Sequence, residues 1–356
     1  MSDVGLILIY HRVATPPRDP QLLCVSPDHF AEQLAVLNRR YRPVSLDGMA
    51  AAAKDDAVPP GAVAITFDDG YADNLTHAAP LLAKANVPAT VYVTTHGDAP
   101  ARELWWDELE RLLLGPHELP RRIKIHLGVE SLKWHLDPTE DQAAGGSETN
   151  GEEDADARPR AADDGAGWNV LLPPTRARER LYTELHRMLR PLPARLRWDV
   201  LDQLREQVDL AAFARPSHRL MSSEDLRILD QSALIDIGAH TVTHPVLAER
   251  SPEDQRWEME ESRRVLETIL DRPVATVSYP YGGRRDYSTT TVAIAHELGF
   301  EYACANHPGG VNGATDRFAL PRVLVRDWDG DEFERQIEAA WAHARRTDRH
   351  PVRVHG

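Results

Sequence analysis

Short apolar, β-branched runs recur along this chain, and between them apolar positions fall three and four residues apart. Residues 4–10 (VGLILIY), 63–67 (VAITF) and 89–95 (ATVYVTT) read as buried strands. Runs of this length without polar alternation suit strands covered on both faces, as in a parallel sheet. Between the last two, Leu75, Ala78, Leu82 and Ala85 share one helical face. Asp73 or Asn74 can cap that helix, and Asn86 ahead of Pro88 can end it. The second half repeats the scheme, with strands expected over 234–239 (LIDIGA), 274–279, 302–305 and 318–325. Ser251 followed by Pro252 predicts a helix start, and that helix runs through Trp257, Val265, Leu266 and Ile269 to about residue 270. A further helix over 290–298 closes at Gly299. About seven strands alternating with helices predict an α/β fold, a barrel rather than an open sheet.

The middle of the chain follows another pattern. Residues 105–114 (WWDELERLLL) form a strongly amphipathic helix, and 177–189 and 199–208 read as two more. Between them, residues 137–167 carry ten acidic and two basic side chains among Ala and Gly. Such a stretch buries too little apolar surface to offset its ordering entropy, so a disordered loop is expected. The organisation is thus one domain over 1–356, with core blocks at 4–95 and 222–331 and a helical, acidic insertion over 100–221.

Charge and cysteine content narrow the function. The 356 residues include 41 basic and 56 acidic side chains, a net −15, which argues against a nucleic-acid partner. More than half of that excess sits in the acidic loop, so it does not characterise the core. Cys24 and Cys304 lie far apart and form no CxxC pair, so neither a disulfide framework nor a cysteine metal site is expected. The apolar run at 4–10 is too short for a signal peptide or a membrane span. A cytoplasmic location is expected on that ground.

Two motifs carry the chemistry. Thr66-Phe67-Asp68-Asp69-Gly70-Tyr71 follows the second strand, where barrel enzymes build their sites. Adjacent carboxylates repel, and a nearby cation relieves the repulsion. His240-Thr241-Val242-Thr243-His244 follows the fourth strand, and histidines four apart on a helical turn can chelate one ion. Each motif alone is common in turns or arises by chance in a chain with 16 histidines. Their shared place after strands brings Asp, His and His to one barrel face. That three-ligand set leaves coordination positions open, as a catalytic zinc requires, and spares one carboxylate as a general base.

On these motifs the chain resembles the polysaccharide deacetylases of the NodB-homology class, carbohydrate esterase family 4. TFDDGY is similar to that family's first motif and HTVTH to its second. The resemblance implies a distorted (β/α) barrel, with Asp68 as base and Asp69, His240 and His244 holding a divalent metal, most simply Zn2+. It implies hydrolysis of the N-acetyl amide of an N-acetylhexosamine substrate, and a cytoplasmic enzyme would meet a precursor or short oligomer. The third motif departs from the pattern: Ser278-Tyr279-Pro280-Tyr281 keeps proline and tyrosine but has serine where the family has arginine. The Tyr281 amide is the expected oxyanion donor, and Arg322, or else Arg326, the expected partner of the base. Asp327-Trp328 resembles the fourth motif. The histidine of the fifth has no match, so His11 is the expected general acid, with His307 second. Two other readings remain: a hydrolase of small cyclic amides or ureides, and a non-catalytic carbohydrate-binding relative. An open groove lined by Trp105 and Trp106 would favour sugars, a sealed pocket the small amides.

Overall fold

The computed structural model describes residues 4–95, 102–136, 167–211 and 214–349. The expected acidic loop lies outside these residues, apart from Gly167. The chain forms two compact units, one of residues 1–15, 23–100 and 219–356, the other of 16–22 and 101–218.

The first unit is the distorted (β/α) barrel. Seven parallel strands follow one another in the sheet in the order Tyr302–Cys304, Thr276–Ser278, Ile235–Ala239, Ala89–Val93, Ala62–Phe67, Leu6–Tyr10 and Val323–Leu324. An eighth, Arg42–Pro43, lies beside Ala62 and Val63. The two ends of the sheet meet: Leu320 bridges Cys304, and the amides of Ala305 and Arg322 donate to the carbonyls of Leu320 and His307. All seven strands lie within or overlap the runs read from the sequence.

Alternation along these strands divides the residues between inside and outside. Leu6, Leu8, Tyr10, Val63, Ile65, Phe67, Val91, Ile237 and Val277 pack outward under the helices. Ile7, Ala62, Ala64, Tyr92, Tyr302, Cys304 and Leu320 form a separate cluster that fills the barrel, closed below by Leu46 and Met49 of the helix Leu46–Lys54. Because the side-chain period is two, the same parity carries His11, Asp68, His240, Ser278 and Arg322 to the inside at the carboxyl ends.

Gly238 shows how tightly the interior is filled. A Cβ there would stand 2.5 Å from the Tyr92 ring and 2.7 Å from Thr276 Oγ1. Gly238→Ala is therefore expected to lower stability by about 1–3 kcal/mol through overpacking. Urea unfolding checks this, and an unchanged midpoint would show that the ring has room to move.

Helix limits follow local chemistry. Ser251 accepts from the Asp254 amide and Pro252 occupies the first turn of Pro252–Leu270, which ends at the left-handed Asp271. The helix expected from residue 75 starts as a π-turn, Asn74–Ala78, before Ala79–Ala85 and the left-handed Asn86. The second unit contains the helices Trp105–Leu114, Ala177–Leu189 and Ala194–Val208. Its hairpin, Arg122–Leu127 with Glu130–His135, was not anticipated. Gln203 and Gln207, one helical turn apart, bond the backbone of His126 and Lys124 and dock the hairpin on the third helix. Among the described residues no helix is long and apolar enough to cross a membrane.

Candidate active site

Asp68 continues the strand Ala62–Phe67, its amide donating to the Tyr10 carbonyl at 3.0 Å. Its side chain is buried and met by Arg322 in a bidentate pair: Nη1 to Oδ1 and Nη2 to Oδ2, both 2.7 Å. Ser278 Oγ also donates to Oδ2, at 3.1 Å. Arg322 itself is fully buried and bonds the Ala305 carbonyl, Thr66 Oγ1 and Ser278 Oγ. Burial alone would raise the Asp68 carboxyl, but the charges of Arg322 and His240 hold it below its ordinary value.

At Asp69 the chain leaves the strand. Asp69 and Gly70 both take left-handed conformations, at φ +78° and +82°. A Cβ at Gly70 would lie 3.3 Å from the Val93 backbone, so glycine allows both the turn and the close approach. Asp69 Oδ1 then faces His244 Nε2 at 3.3 Å and His240 Nε2 at 3.5 Å. Burial would raise the Asp69 carboxyl, and the two histidines instead hold it far below the usual range.

The histidine motif follows Ile235–Ala239. His240 donates Nδ1–H to the Ser278 carbonyl at 2.8 Å, which turns the lone pair of Nε2 inward in the neutral ring. The residues between the histidines are not the helical turn their spacing suggested. Thr241 and His244 sit at φ +63° and +52°, and the His244 amide donates to Thr241 Oγ1. A β-branched residue rarely adopts such a conformation, so surrounding contacts must impose it.

These residues fit a metal ion. Among the described residues Asp69, His240 and His244 form a buried group whose ligand atoms lie within 4.8 Å of one another. Asp69 Oδ1 is buried without a hydrogen-bond donor. A buried anionic oxygen left in that state is costly, and a cation bound by two imidazoles and a carboxylate would satisfy it.

The remaining candidates divide. Tyr281 lies at φ +60° with its ring 4.6 Å from that of His244. His11 is half-buried, and Asn74 Nδ2 holds its carbonyl at 2.8 Å. Burial lowers the His11 imidazole, opposed by the charges of Asp69 and Asp68. His307 is also lowered by burial, but the charge it feels is that of Arg284. Arg326 lies within electrostatic reach of His11, whereas the bidentate partner of Asp68 is Arg322. Asp327 bonds the Ser26 amide and His29 at the start of the helix Pro27–Arg40, and Trp328 packs on the outer cluster. Trp105 and Trp106 are buried in the second unit, so they line no open groove.

Two contributors went unread in the sequence. Ser278 was noted only for the arginine it replaces, yet it bonds both Asp68 and Arg322. Glu258, buried on Pro252–Leu270, accepts from the histidine loop. Its signal was a carboxylate within the buried stripe Gln255, Glu258, Met259, Ser262 and Leu266.

This barrel and the cluster at its carboxyl end define a class. The family model for polysaccharide deacetylases matches residues 55–121 and 193–303, half of the chain, and the chain belongs to that family. YxkH of Bacillus subtilis (strain 168), itself a proposed polysaccharide deacetylase, is 27% identical over 120 residues, 33% of this chain and 42% of that protein. The fold is shared with the Streptococcus pyogenes deacetylase PplD, solved with acetate, at a TM-score of 0.55 and 18% identity over 94% of this chain and 99% of that one. IcaB from Ammonifex degensii matches at 0.54 and 18% identity, over 96% and 98%. His11 and Arg322 lie outside the residues matched by the family model.

Proposed function

We propose that this chain is a metal-dependent deacetylase that hydrolyses the N-acetyl amide of an N-acetylhexosamine unit. The observation that supports it best is the convergence of Asp69, His240 and His244 beside an Asp68 locked by Arg322. Asp69, His240 and His244 would hold a divalent cation, Zn2+ by the nature of the donor set, and bound there it would polarise the acetyl carbonyl and acidify a water.

Asp68 serves as the base. An ionised carboxylate offers about four lone-pair sites, and Arg322 and Ser278 occupy three of those on Asp68. One remains to accept the proton of the attacking water. The two-pronged contact also fixes the carboxylate plane, so orientation is settled before substrate arrives. The Tyr281 amide, carried on a left-handed turn, is the donor we assign to the developing oxyanion. His11 then protonates the leaving amine. Burial makes its imidazolium a readier donor than a solvated one, and the charges of Asp69 and Asp68 favour that imidazolium. We place the enzyme in the cytoplasm, supported by two buried cysteines that form no disulfide.

The test is acetate release from N-acetylglucosamine oligomers by the zinc-loaded protein, run beside Asp68→Asn. Release by the wild type with a loss of about 10²–10⁴-fold in the variant is the expected result. Equal release by both would remove Asp68 from the mechanism, and no release by zinc-loaded wild type would reject the substrate class.

A further inference from the structure

The loop between the two metal-binding histidines is held from outside the site by one side chain. Glu258 Oε2 accepts from the amides of Val242 and Thr243, each at 2.8 Å, and Oε1 accepts from Thr243 Oγ1. Glu258 is 5% exposed and lies in the second turn of Pro252–Leu270. Neither amide has a regular-structure partner, because Thr241 and His244 on either side are left-handed. On the opposite side of the loop, Thr94 Oγ1 donates to the His240 carbonyl and the Thr95 amide to the Thr241 carbonyl.

We propose that Glu258 is a positioning residue for the metal centre: it sets the spacing of His240 and His244 by clamping Val242 and Thr243 between them. The inference rests on the metal reading above. A carboxylate in this place satisfies two backbone donors that no helix or strand serves. It thereby offsets the left-handed strain that brings both Nε2 atoms onto Asp69. Without it the loop relaxes toward ordinary backbone geometry, and the histidines separate before a metal arrives. Outer contacts of this kind commonly change metal affinity by about 10–100-fold.

The geometry distinguishes shape from charge. A glutamine can place its carbonyl oxygen against both amides and donate its NH2 to Thr243 Oγ1, since a hydroxyl also accepts. Zinc affinity is measured by competition with a chromophoric chelator on the full chain, beside thermal unfolding of the metal-free proteins. Glu258→Gln is expected to bind zinc within about threefold of wild type, and Glu258→Ala about 10–100-fold more weakly. At saturating zinc, acetate release by Glu258→Ala should recover in kcat with KM little changed. Should Glu258→Ala fail to fold, Glu258→Asp, which withdraws both oxygens by one methylene, carries the same expectation as alanine. Wild-type zinc affinity in the alanine or aspartate variant would overturn the proposal, leaving Glu258 a merely structural residue. A glutamine variant as weak as alanine would overturn the hydrogen-bond account. If wild type binds no zinc, the metal reading itself falls and this inference with it.

Discussion

Replacing Arg322 with methionine is expected to lower acetate release severely, leaving a measurable residue, and to lower conformational stability by about 3–5 kcal/mol. The guanidinium is fully buried, and it is the cation paired with Asp68 through both oxygens. Removing it leaves a carboxylate inside the barrel whose burial favours the protonated form. The sign follows from the direction of the shift. In wild type the Asp68 carboxyl is depressed, so its contribution to stability is present above the unfolded carboxylate value of about 3.9. That contribution is lost as pH falls through the lower folded value. In the variant burial acts unopposed by Arg322, so Asp68 takes up a proton at higher pH. The acidic limb of the activity profile then moves toward neutrality. Urea unfolding and a pH–rate profile check the two halves of this expectation. A cycle with Asp68→Asn should be less than additive, since each change removes the partner of the other. Wild-type turnover and stability in Arg322→Met would refute the pairing.

Asp69→Asn is expected to remove zinc binding while leaving the barrel folded. Its Oδ1 is the anionic oxygen onto which both Nε2 atoms converge, and an amide oxygen supplies no charge there. Wild type should gain about 2.7 kcal/mol when free zinc reaches 100 times the dissociation constant, because the ion binds only the folded site. The variant should gain nothing measurable. Thermal unfolding with zinc and with chelator reads this directly. A zinc-induced shift as large in Asp69→Asn as in wild type would exclude Asp69 as a ligand. Acetate release should fall with the loss of metal and should not return at higher zinc.

The strands were legible because each is a local run of apolar, β-branched residues, and a run such as VAITF states its own burial without reference to the rest of the chain. Helix Pro252–Leu270 was equally open to reading, since Ser251, Pro252 and the apolar spacing lie together. Where the signal was weaker the reading slipped. The third helix of the second unit begins at Ala194, five residues ahead of the expected start at 199, just after Pro193. The hairpin strand RIKIHL alternates between exposed and buried positions, but its partner Glu130–His135 is largely exposed and lacks an apolar face.

The sequence by itself determined the strand and helix pattern, the fold class, and the two motifs with the chemistry their side chains permit. All of these depend on neighbours within a few turns. Tertiary structure alone decided which arginine meets Asp68, because the two are 254 positions apart and come together only when the sheet closes at Leu320 and Cys304. It likewise decided that the residues between the histidines form a left-handed loop held by Glu258 rather than a helical turn. Spacing limits what two side chains can reach, but the backbone path between them is chosen by donors and acceptors that folding brings from elsewhere.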